Sequence, residues 1–331
     1  MPTLNFLINL AGATMLLLFA VRMVQTGIER SMGPSFRQIV TSRRESRVQM
    51  SFAGIMLAIV LQSATAASLL ASGFLASALI TFTGGLATVL GADLGSALVI
   101  QLLSFRPDWL IPILLAVGGY LFLKLEARTP RQVGRILLGI AFILLSLRLI
   151  SASVEPIRES AAMPAIAAYL ERDFVTAFLV GAAVTFIMHS SVAAILMFVT
   201  FVHIGILPVN AGVSVVLGAN LGSAMLFIWL SRGMAPVARR LPFANLLLRG
   251  VGSIIGLIIV NFTPLLDQMT MFPDQQILVV VHVLFNAAVL LLSLPILPRL
   301  EAPFAALISD KAGMASDDPL RPPSALDRTV L

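Results

Sequence analysis

One seven-residue pattern occurs twice at a fixed displacement, and that duplication limits the folds open to the chain. Gly91-Ala92-Asp93-Leu94-Gly95-Ser96-Ala97 returns 127 residues later as Gly218-Ala219-Asn220-Leu221-Gly222-Ser223-Ala224. A short polar word precedes each copy at the same displacement: Gln62-Ser63-Ala64-Thr65 and His189-Ser190-Ser191-Val192. Gly54 and Gly181 align as well, with no gap. A repeat of this kind marks two halves of like build. Interruptions of apolar segments at corresponding positions of two halves are the sequence pointer to a transporter's binding site.

The chain is 58% hydrophobic and 11% charged, with a mean hydropathy of +0.98. A soluble domain cannot bury that much apolar surface, so an all-α polytopic membrane protein is expected. There is no cysteine, which removes disulfides and thiol chemistry. No Lys or Arg precedes the first apolar run, so a cleaved signal peptide is not expected. The net charge of +6 reads as loop charges that orient a membrane protein rather than as a nucleic-acid surface.

Seven segments approach the roughly 20 apolar residues that cross a bilayer: about 5–27, 83–104, 109–124, 136–150, 211–230, 246–263 and 277–298. Two more apolar regions, 50–80 and 176–207, are each interrupted by a polar word. Their arms are roughly 20–22 Å of helix at 1.5 Å per residue. They are expected to be re-entrant hairpins with the polar word at the tip, because irregular backbone is tolerated at membrane depth only against protein or water.

The basic residues support this map. With the N-terminus outside, the inner loops and tail hold Arg30, Arg37, Arg43, Arg44 and Arg47, then Lys124, Arg128, Arg131 and Arg135, then Arg232, Arg239, Arg240 and Arg249, then Arg299, Lys311, Arg321 and Arg328. Only Arg106, Arg158 and Arg172 fall outside, seventeen against three, a positive-inside bias. Three full spans separate the repeats, so they are inverted: residues 1–135 form the first, 136–300 the second with a final helix, and 301–331 an unstructured cytoplasmic tail rich in Pro, Ser and Asp.

The chemistry is expected where the two tips meet. Ser63, Thr65, Ser190 and Ser191 sit where helix N-caps would sit, as do Ser96 and Ser223 if the spans break at the glycine motifs. Half-helix N-termini present free N–H groups and about half a positive charge each, an anion site. Unwound backbone at Gly91 and Gly218, with Asp93, Asn220 and the hydroxyls, would offer hard oxygen ligands for sodium. An anion site beside a cation site is what cation-coupled anion uptake needs.

A polar word followed by Gly-Ala-Asn-x-Gly-Ser/Thr, duplicated in inverted halves, resembles the type II sodium/phosphate cotransporter family over about residues 5–300. His282, Phe285 and Asn286 are similar to a His-x-x-Phe-Asn pattern of its bacterial members. The resemblance implies phosphate binding at Gln62, Ser63, Thr65, His189, Ser190 and Ser191. It implies sodium at Asp93, Ser96, Asn220, Ser223, Gly91 and Gly218, ligated by Asp93, Asn220 and backbone carbonyls. Many bacterial members carry a C-terminal domain like the phosphate-uptake regulator, and none is expected within these 331 residues. Three departures stand out: Ala64 replaces a hydroxyl, His189 and Val192 replace Gln and Ser, and Asp93 replaces Asn. His189 is either a hydrogen-bonding stand-in for Gln or a titrating group. Arg22 and Arg148 read first as snorkelling cations and otherwise as counter-charges for phosphate or Asp93. His203 and His282 read as interfacial or packing residues.

The expectation is a sodium-coupled phosphate symporter of the inner (plasma) membrane working by alternating access. It is not an enzyme and has no cofactor beyond sodium as coupling ion. Its partners are phosphate, sodium and membrane lipid, with no nucleic acid, and homodimerisation is open. The rival readings are a sodium- or proton-coupled carrier of another small anion and a non-transporting membrane scaffold or regulator on the same fold.

Overall fold

The structure, a computed structural model, describes residues 2–32, 46–105, 107, 109–154 and 162–309. Among the described residues it is all-helical, with thirteen α-helices. Six are long and apolar enough to cross a membrane: α1 (Pro2–Met32), α4 (Phe82–Leu103), α6 (Arg128–Val154), α10 (Val209–Ser231), α11 (Pro236–Phe262) and α12 (Asp274–Ser293). The expected span at 109–124 appears as α5 (Leu110–Lys124), only 15 residues long. A short helix not expected from sequence, α7 (Ala162–Arg172), precedes the second interrupted region.

Both interrupted regions fold as helical hairpins. The first is α2 (Arg47–Leu61) and α3 (Ala64–Ala76), and the second is α8 (Phe174–Met188) and α9 (Ser191–His203). Every one of these boundaries recurs at a displacement of 127 residues, and α4 and α10 begin at the same displacement. Arms of 13 and 15 residues are too short to cross the roughly 30 Å hydrocarbon layer alone. The repeat extends to the backbone. The four described residues with positive φ are Gln62, Ala78, His189 and Gly205, two pairs at that one displacement. Gln62 and His189 turn the hairpins; Ala78 and Gly205 end their second arms.

The expected breaks in the spans at the glycine motifs are not there. Helices α4 and α10 run unbroken through Gly91–Ser96 and Gly218–Ser223, so Ser96 and Ser223 cap nothing. The glycines instead let two helices touch. A methyl group on Gly91 would overlap the carbonyl of Ser51, and one on Gly54 that of Thr88. At the repeat-related positions, Gly218 meets Phe178 and Gly181 meets Val215. Small residues of this kind allow close backbone approach in apolar surroundings. With α4 and α10 intact, their backbone carbonyls face their own helix and are not freed as ligands.

Two large buried apolar cores follow, beside a small one of Ile111, Leu114, Ala141 and Leu144 between α5 and α6. One gathers α8, α9, α10 and α12 against α1 and α6; the other gathers α2, α3 and α4 against α11 and α13 (Leu297–Leu307). Helix α13 also corrects the expected start of the tail. Phe304 is buried and stacks on Phe82, ring centroids 6.2 Å apart, which holds the chain in order past residue 301. The rest of the expected tail from 310, with Lys311, Arg321 and Arg328, lies outside the described residues, as do Arg37, Arg43, Arg44, Arg106 and Arg158.

Candidate functional site

The two polar words form matching turns. Gln62 closes α2 in the left-handed region (φ 48°, ψ 34°), and Ser63 then adopts extended backbone and caps α3. Ser63 Oγ accepts from the Ala66 N–H at 3.1 Å. In the second hairpin His189 closes α8 at φ 53°, ψ 25°, and Ser190 Oγ accepts from the Ala193 N–H at 3.2 Å. Each serine satisfies one of the free donors at its helix start; the first N–H groups of a helix otherwise have no partner within it.

Both tips open on one cavity of about 90 Å³. All six residues expected to bind substrate line it: Gln62, Ser63, Thr65, His189, Ser190 and Ser191. Helix α1 adds Arg22 and Gln25. Gln25 Nε2 donates to the Gln62 carbonyl at 3.1 Å and so holds the first tip in place. Arg22, itself exposed, therefore stands beside the tips. Arg148 does not join it; with Gln101, His203 and Gln276 it lines a separate cavity of about 750 Å³ at the far ends of α4 and α9. The tip cavity thus combines two helix N-termini, four hydroxyls and a guanidinium, a set that suits a small, multiply charged anion.

The residues expected to hold a cation lie elsewhere. Asp93 and Asn220 are buried, at 4% and 1% exposure, and Arg249 of α11 sits between them, itself 3% exposed. Arg249 Nη1 donates to Asp93 Oδ1 at 2.8 Å, and Nη2 donates to Asn220 Oδ1 at 2.6 Å. Ser223 Oγ is at the limit of reach, 3.5 Å from Nη1. Ser96 is buried, with no hydrogen-bond partner for its hydroxyl. Asp93 was expected to face Arg22 or Arg148 if it paired at all; its partner is Arg249, which the sequence placed in a loop. The span begins at Pro236, ten residues before its expected start, and carries Arg249 inward.

His282 and Asn286 complete this cluster from one face of α12, four residues apart. Asn286 Nδ2 donates to Asn220 Oδ1 at 3.2 Å, and Asn220 Nδ2 faces His282 Nδ1 at 3.2 Å. His282 is 2% exposed; it belongs to a polar network, not to an interface or to apolar packing. Removing either partner of the buried ion pair would strand a charge, a loss of about 3–5 kcal/mol.

The chain is similar in sequence to several known proteins. The chain is 32% identical over 329 residues to the Escherichia coli K12 protein named "Putative inorganic phosphate export protein YjbB", covering 98% of this chain and 60% of that one. It is 34% identical over 281 residues to the Salmonella typhimurium protein of the same name, covering 85% and 52%. It is 27% identical over 241 residues to "Uncharacterized protein YqeW" of Bacillus subtilis, covering 72% and 77%. The chain thus spans about 60% or less of the length of the YjbB proteins it matches. No solved structure matches it. Residues 16–152 and 157–297 both match the Na+/Pi-cotransporter family, and this multi-pass membrane protein belongs to that family.

Proposed function

We propose that the chain is a secondary transporter moving inorganic phosphate across the membrane with sodium, by alternating access. The observation that carries the reading is the tip cavity. Two serine-capped helix N-termini from the two halves, with Arg22 beside them, converge on one small space. Phosphate would be held by Ser63, Thr65, Ser190 and Ser191, by the free N–H groups of α3 and α9, and by the Arg22 guanidinium. Hairpins of this length are read as re-entrant, one from each side, in halves of opposite orientation. The bias of the basic residues supports a cytoplasmic C-terminus.

The name of the Escherichia coli relatives favours a second reading of direction, in which net flow is outward. One site serves both, because alternating access is reversible and the gradients set the sign. Counterflow of labelled phosphate in proteoliposomes of the full chain, with and without sodium, tests the proposal. Exchange dependent on internal phosphate supports it, and no exchange above empty liposomes overturns it.

A further inference from the structure

We propose that the Arg249 guanidinium is a tethered cation that takes the place of a coupling sodium ion between Asp93 and Asn220. The inference rests on the transport reading above and narrows where sodium can act. Asp93 and Asn220 occupy the same position in the two copies of the glycine motif, and their side-chain oxygens converge on one point. That point is filled. The fork of Arg249 sets Nη1 on Asp93 Oδ1 at 2.8 Å and Nη2 on Asn220 Oδ1 at 2.6 Å. A sodium ion between these two oxygens would have to displace the N–H groups; Asp93 Oδ2 is the one carboxylate oxygen left without a partner, and there the charge balance decides.

Charge leads to the same conclusion. The pair is neutral as it stands, one guanidinium to one carboxylate, both buried. The buried groups linked to it are amides, a hydroxyl and an imidazole: Asn245, Asn286, Ser223 and His282. His282 Nδ1 faces the amide donors of Asn220 and Asn286, so it serves as an acceptor and supplies no second negative charge. A sodium ion added to this cluster would set two positive charges against one carboxylate in a buried place, which is strongly unfavourable. Arginine does not give up its proton at accessible pH, so the site cannot clear itself by deprotonation. The charge that distinguishes Asp93 from Asn220 is thus balanced within the protein, and sodium that moves with phosphate binds at other oxygens.

Equilibrium binding of radiolabelled sodium to the purified full chain tests this, with the parent, Asp93→Asn, Arg249→Met and the double variant side by side. Asp93→Asn is expected to leave the number of sodium ions bound per chain unchanged. Arg249→Met is expected to gain one saturable sodium per chain, and the double variant to lose that gain. Loss of a bound sodium in Asp93→Asn with Arg249 intact overturns the proposal. So does a monodisperse, fully helical Arg249→Met that gains none. If Arg249→Met does not fold, the Asp93→Asn comparison decides alone. A parent that binds no sodium at all would sink sodium coupling while agreeing with a filled Asp93 position, so the two readings fail separately.

Discussion

Gln62 and His189 hold the same left-handed backbone at the same place in two hairpins, at φ 48° and 53°, although neither is a glycine. Their side chains differ, yet the turns they make are alike, so both halves retain the turn geometry together with the capping serine that follows it. The second pair of positive-φ residues is less even: Gly205 has the residue suited to that conformation, and Ala78 does not.

Ala78→Gly is therefore expected to stabilise the protein. Left-handed backbone costs a non-glycine residue about 1–2 kcal/mol, and the entropy lost by adding a glycine offsets about 0.5–1 kcal/mol of that. A net gain of about 0.5–1 kcal/mol should appear as a higher midpoint in thermal unfolding in detergent, and Gly205→Ala should lower it. A lower midpoint for Ala78→Gly would refute the assignment.

Gly218→Ala is expected to lower the midpoint much more than a mutation at an exposed site. The added methyl meets the Phe178 carbonyl, and forcing a packed contact apart costs about 1–3 kcal/mol. The equivalent change at Gly91, against the Ser51 carbonyl, should behave alike. Parent-like stability in both would mean that the helices do not touch there.

Ser63→Ala and Ser190→Ala each remove a helix cap and, on the proposed reading, a hydrogen bond to phosphate. A hydrogen bond to a charged group contributes about 1.5–3 kcal/mol, so phosphate affinity should fall roughly ten- to a hundredfold in proteins that still insert. Isothermal titration with phosphate, beside the same titration of Arg22→Gln, measures it. Unchanged affinity in both serine variants would remove the tips from the site.

Asp173 gives a pH prediction outside the spans. Its carboxylate accepts from the Thr176 hydroxyl at 2.6 Å and the Thr176 N–H at 2.9 Å, and these bonds hold its pKa below the usual carboxylate value. A carboxyl with a lowered folded pKa stabilises above its unfolded pKa and loses that contribution as pH falls through the folded one. Thermal midpoints between neutral and acid pH should therefore fall less steeply for Asp173→Asn than for the parent. Equal slopes would show that the cap is not ionised.

Single cysteines at Ala127 and Gln268, both exposed, test the proposed orientation in this cysteine-free chain. An impermeant thiol reagent applied to intact cells should label Gln268→Cys and leave Ala127→Cys untouched. Labelling of both from outside would end the inverted arrangement.

The hairpins were legible because a polar word in an apolar run has few places to go, and Ser63 and Ser190 are good caps. The glycine motif was misread because glycine serves two ends, breaking a helix or letting another helix approach, and sequence alone does not separate them. Arg249 was hidden for a different reason. Arg239, Arg240 and Pro242 in the first turns of α11 look like loop, so the span seemed to begin late and Arg249 to lie at its edge. Only the fold shows that Asp93, 156 residues away, is its partner.

The glycine contacts also bear on how the molecule can move. Where backbone lies on backbone, as α2 does on α4 and α8 does on α10, no side chain is available to swing aside and let one helix slide along the other. Each hairpin is in effect clamped to its span, as a blade to its handle. Ser63 and Ser190 then travel with separate blades, and any motion that uncovers the cavity between them has to part the blades from each other rather than bend either one.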